Sequence, residues 1–66
     1  MDTNIYHYID LIINLINNNE MNLAQGRQAL SGLVPSDNLI EFQAIENVID
    51  LDFFVKQIHL MDSHFI

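Results

Sequence analysis

Residues 5–16 read IYHYIDLIINLI, and the periodicity of that stretch decides the fold. The polar residues His7, Asp10 and Asn14, continued by Asn17, recur at spacings of three, four and three, which traces one narrow stripe on an α-helix. Ile5, Tyr8, Ile9, Ile12, Leu15 and Ile16 make the main apolar face. Tyr6, Leu11 and Ile13 widen it well past a single-sided stripe, so this helix is expected to be covered on two sides. The run Asn17-Asn18-Asn19 ends it, because Asn competes locally for backbone hydrogen bonds and tolerates the left-handed conformation at a helix C-terminus.

Beyond that turn, Asn22 followed by Gln25 has the spacing of a capping box and starts a second, short helix over residues 22–31. Leu23, Ala29 or Leu30, and Leu33 supply its apolar contacts. Gly26 weakens its middle by roughly 1 kcal/mol relative to Ala unless a neighbouring helix approaches closely there. Gly32 is the natural residue just past its end, and Pro35 prevents continuation. Ser36, Asp37 and Asn38 are alternative caps for a third helix over 37–50, with Leu39, Phe42, Ala44 or Ile45, and Ile49 inside. Glu41, Gln43, Glu46, Asn47 and Asp50 fall on its outer surface.

There the phase slips. A new polar stripe through Asp52, Lys56, His59 and Ser63 keeps Phe53, Phe54, Ile58 and Met61 largely together, which predicts a fourth helix over 52–62. The break is placed near Asp50-Leu51-Asp52, with Asp50 or Asp52 as its cap; one long bent helix is the alternative. The expected fold is therefore all-α, a single domain over 1–66 built as a compact bundle of three to four short helices over 4–17, 22–31, 37–50 and 52–62. So small a chain does not fully hide this much apolar surface, so dimerisation is expected to complete the core.

Composition narrows the chemistry. The 66 residues are 50% hydrophobic, which excludes a typical disordered acidic tail. Nine acidic residues against Arg27 and Lys56 alone give a formal charge of -7, the wrong sign for tracking phosphates or docking on anionic lipid. The short helix ending at Gly32 and the one starting near Ser36 invite a helix-turn-helix reading, but Asp37 and Glu41 stand where base-contacting cations belong. No direct nucleic-acid or membrane partner is expected. Asp10, Asn14 and Asn17 interrupt the richest apolar stretch before it reaches the length of a membrane span. No cysteine is present, and Met1-Asp2-Thr3-Asn4 lacks the charged start of a signal peptide, so the cytoplasm is the expected location.

Catalytic and metal-binding patterns are thin. His59 and Asp62 are three apart, but His64 is off helical ligand spacing and His7 is remote, so no metal or other cofactor is expected. Ser31 and Ser36 read as helix-end residues, Ser63 lies near the end of the chain, and no motif surrounds any of them. Carboxylate pairs such as Glu46 with Asp50 read as solvated charges rather than an acid/base pair, and no enzymatic activity is expected.

What remains is binding. The acidic face carried by Glu41, Glu46, Asp50 and Asp52 suits electrostatic capture of a basic protein partner, which such a chain would inhibit or regulate. Ile9, Ile13, Phe54 and Phe65 are the candidate apolar contacts for that partner or for a second copy in a homodimer. Antitoxins, nuclease-immunity proteins, phage-encoded inhibitors and small regulatory adaptors share this size and charge, though no motif links the chain to any of them. The alternative reading is a structural or oligomerisation module whose charge serves only solubility.

Overall fold

A computed structural model of the chain describes residues 3–63, and within them every regular element is a helix. Four α-helices follow one another: α1 (Thr3–Asn17), α2 (Leu23–Leu30), α3 (Leu39–Gln43) and α4 (Val48–Ser63). Single 3₁₀ turns at Ser31–Leu33 and Ser36–Asn38 carry the chain from α2 to α3.

Helix α1 ends as the Asn run predicts. Asn19 takes a left-handed φ of 62°, its amide donates to the Ile16 carbonyl, and the Glu20 amide donates back to Leu15. Those two bonds form a Schellman turn, which satisfies carbonyls that the helix end would otherwise leave free. Helix α2 then starts on the expected capping box. The Asn22 side chain accepts from the Gln25 amide at 2.8 Å, and the Gln25 side chain accepts from the Asn22 amide at 3.1 Å.

Helix α1 lies against both α4 and α2, so its wide apolar face is covered on two sides by the same chain. Ile9 and Ile12 enter a core completed by Leu30, Val34, Phe42, Leu51 and Val55. Of these, Ile9, Leu30, Phe42, Leu51 and Val55 are fully enclosed without a second copy. Complete burial of each such side chain is worth roughly 1.5 to 3 kcal/mol. Gly26 is where α2 touches α1: a Cβ there would stand 2.4 Å from Ile16 Cδ1 and 3.2 Å from Ile16 Cγ1. The glycine that weakens an isolated helix is thus the one that lets this pair approach.

Three expectations are corrected. Gly32 does not adopt a left-handed φ; α2 runs on into the 3₁₀ turn Ser31–Leu33, so no reversal of backbone hand is needed. The third helix is not 37–50 but the five residues Leu39–Gln43. The break falls at residues 44–47 rather than at Asp50-Leu51-Asp52, and the cap of α4 is Asn47. Its Oδ1 accepts from the Asp50 amide and its Nδ2 donates to Asp50 Oδ2, both at 2.8 Å. An N-cap with a partner at the third helical position satisfies the free amides of a helix start.

Moving the break by a few residues resets the phase of everything after it. Leu51, Phe54, Val55 and Ile58 turn inward, and Phe54 packs on Phe42 with ring centroids 6.0 Å apart. Ile49 and Phe53, both expected inside, point to solvent at 77% and 68% exposure. The side chain of Met61 lies outside the described residues.

The two glycines separate backbone from packing effects. Gly26→Leu, which must displace Ile16, is expected to cost about 1 to 3 kcal/mol. Gly32→Ala, with open space and no left-handed φ, is expected to be neutral or stabilising by up to about 1 kcal/mol. Urea unfolding of the two variants checks both; equal effects would refute the close approach.

Candidate functional site

The chain's two cations each tie together segments distant in sequence. From α2, Arg27 reaches the end of α3, where its Nη1 donates to the Gln43 carbonyl at 2.5 Å and to the Ile45 carbonyl at 2.9 Å. A guanidinium at a helix C-terminus meets both the free carbonyls and the negative end of the helix dipole. This clasp fixes the connection of residues 44–47 against α2.

From α4, Lys56 Nζ lies 2.6 Å from Asp10 on α1 and 3.2 Å from Asp52 one turn earlier on its own helix. Asp52 Oδ1 is shut off from solvent and makes no hydrogen bond of good geometry, so the ammonium beside it is its charge compensation. The hydrogen bond to Asp10 raises the Lys56 pKa above its ordinary 10.5; burial opposes the rise and Asp52 adds to it. Further along the same edge, His59 meets Tyr6 edge-on with centroids 6.3 Å apart. The polar stripe Asp52, Lys56, His59 therefore runs along the half-buried edge where α4 meets α1.

With the cations so engaged, the acidic face stands as follows. Glu41 is exposed on α3, Glu46 is exposed in the connection, and Asp50 is exposed in the first turn of α4. These three carboxylates occupy consecutive segments around residues 44–47. Asp52 stands apart from them, half-buried and paired with Lys56. Among the candidate apolar contacts, Ile9 is fully buried and has no surface to offer a partner, while Ile13 and Phe54 are half-buried. Phe65 lies outside the described residues, as does His64.

The apolar residues that do face solvent are others. On α4, Ile49, Phe53 and Leu60 are exposed by 77%, 68% and 55%; Ile40 on α3 and Tyr8 and Leu11 on α1 are also exposed. Tyr8 additionally donates its hydroxyl to the Ala29 carbonyl at 3.2 Å, which anchors α1 to α2. The one sequence signal for the α4 residues is their spacing of four and seven; the expected break puts Ile49 and Phe53 inside and leaves Leu60 unassigned.

Other constellations are modest. A shallow depression of about 340 Å³ is lined by Asn19, Glu20, Met21, Asn22 and Gln25, at the turn between α1 and α2, where Asn22 and Gln25 serve as caps. Among the described residues, no three His, Asp or Glu side chains are grouped to hold a metal ion. No helix of the described residues is long and apolar enough to cross a membrane. Comparison with protein-family models, curated proteins and solved structures finds no match to this chain.

Both cation contacts are testable. Arg27→Ala should lower stability by about 1.5 to 3 kcal/mol, and Arg27→Lys should recover only part of it, because the shorter lysine carries a more strongly hydrated point charge. Lys56→Met should cost about 1 kcal/mol at neutral pH. Since the folded Lys56 pKa is raised, the stabilisation is complete below the ordinary 10.5 and is lost as pH rises through the folded value. The gap in urea midpoint between wild type and Lys56→Met should therefore close above pH 10.5. A constant gap would remove the ion pair from the account.

Proposed function

We propose that this chain is a non-catalytic protein-binding module that inhibits or regulates a basic protein partner. The observation that carries this reading is the imbalance of accessible charge. Glu41, Glu46 and Asp50 are exposed around the α3–α4 connection, while Lys56 is paired to carboxylates and Arg27 is turned into the end of α3. A field of one sign attracts an opposite partner over about a Debye length, roughly 8 Å at physiological salt, and raises its association rate. The Arg27 clasp supports the same reading, because it holds the segment bearing Glu46 in a fixed position before any partner arrives.

Self-association is the competing use of this surface, favoured by the exposed apolar residues of α4. Like charge weighs against it: each copy carries a formal -7. The enclosed core also removes one reason for a dimer, since Ile9, Phe42 and Leu51 are already covered.

Reversal of charge gives the test. The triple variant Glu41→Lys, Glu46→Lys, Asp50→Lys alters three exposed side chains and should retain its helical circular dichroism. Affinity capture from the native host followed by mass spectrometry should recover a basic protein with the wild type, in a salt-dependent manner, and lose it with the variant. Capture that survives both salt and charge reversal would overturn the proposal.

A further inference from the structure

Helix α4 is apolar on two opposite faces. Leu51, Val55 and Ile58 face the core, whereas Ile49, Phe53 and Leu60 fall within about 40° of arc on the far side, at 3.6 residues per turn. Lys56 stands in the same row, so Ile49, Phe53, Lys56 and Leu60 follow one another at spacings of four, three and four. That is the a/d spacing of a helix-pairing seam. Lys56 does not interrupt the seam with free charge, because its ammonium is drawn sideways to Asp10 and Asp52, leaving its methylene stem in the row.

Both edges of the row are negative. Asp50 lies on one side, and the Asp10–Lys56–Asp52 group, with one net negative charge, lies on the other. We infer that this outward face of α4 is a seat for an amphipathic basic helix of a protein partner: apolar side chains at three- and four-residue spacing enter the row, and Lys or Arg on its flanks meet Asp50, Asp52 and Asp10. The inference rests on the proposed capture of a basic partner and adds where and in what form that partner binds. From Ile49 to Leu60 the row spans about 16 Å at 1.5 Å per residue, matching three turns of a partner helix.

Charge decides between occupants. A second copy would bring Asp50 and Asp52 against the same residues with no unengaged cation on this face, and an anionic lipid surface would be repelled for the same reason. A basic helix alone satisfies both the row and its edges. Glu46 and Asp50 flank Ile49 in sequence, so the carboxylates around the connection steer the helix while the row holds it.

The test uses the whole chain and a synthetic helical peptide of about 18 residues, with Leu on a seam of a/d spacing and Lys on its flanks, beside a scrambled peptide of identical composition. Fluorescence anisotropy at about 150 mM salt should show the patterned peptide binding at least tenfold more tightly than the scrambled one. Phe53→Ser with Leu60→Ser, both exposed and outside the core, should abolish that preference while the circular dichroism is unchanged. Equal binding of both peptides, or patterned binding that survives the double variant, would overturn the seat. Charge capture alone would then remain if Glu41→Lys with Glu46→Lys weakens both peptides equally, whereas insensitivity to that reversal would overturn the electrostatic reading itself. Sedimentation showing a dimer that the double variant disperses would assign the face to a second copy and overturn the inference. So would binding of the wild type, but not of the variant, to phosphatidylcholine vesicles.

Discussion

Arg27 donates to two carbonyls at and just past the end of α3, those of Gln43 and Ile45, and the second half of the molecule is arranged around that contact. Helix α3 has five residues, too few to persist on intrinsic helix propensity, since nucleating a turn costs more than one or two hydrogen bonds return. It is kept by what it touches. Phe42 is fully enclosed from one side, and the guanidinium closes the helix end from the other. Non-directional burial supplies most of the energy, and the directional contact sets where the chain turns. Because the turn is fixed at residues 44–47, the face that α4 shows to solvent is fixed with it.

The legible parts of the fold were those governed by local rules. The Asn run, the Asn22–Gln25 box and the wide apolar circumference of α1 each act within a few residues, and each appears in the structure as the spacing predicts. The break before α4 falls earlier than the spacing predicts because Asn47, which reads as one more outer-surface residue of a long helix, is the cap of α4. Its relation to Asp50 repeats that of Asn22 to Gln25, so the same signal was present. With the break at residues 44–47, Leu51 and Val55 take the interior and Ile49 and Phe53 face solvent. The candidate site divides in the same way: the outward placement of Glu41, Glu46 and Asp50 is legible from spacing, whereas the exposed row on α4 is not. Nor does spacing reveal that Asp52 pairs with a lysine whose other carboxylate partner lies on α1.

The arrangement of α4 departs from the ordinary amphipathic helix. Its polar stripe packs against α1 through the Lys56 pairs and the His59–Tyr6 contact, and a row of its apolar residues is turned out. An ion pair at such an edge contributes little net stability, but it specifies which side of α4 meets α1, since the alternative rotation would separate Lys56 from Asp10. Exposed aromatic and aliphatic groups in a row are tolerated at a monomer surface mainly where they serve recognition, and strong net charge limits the aggregation they would otherwise promote.

The brevity of α3 has a consequence for the order in which the molecule comes apart. Helices α1, α2 and α4 share the close approach at Gly26, the Tyr8 anchor and the Lys56 pairs, whereas the segment 36–47 is attached through Phe42, the half-buried Leu39 and Ile45, and Arg27. Such a segment opens as its own cooperative unit before the rest, with amides that exchange with solvent ahead of those in α1 and α4. Glu41 and Glu46 ride on it. The Arg27 clasp is thus what keeps these two carboxylates in place on the closed three-helix frame.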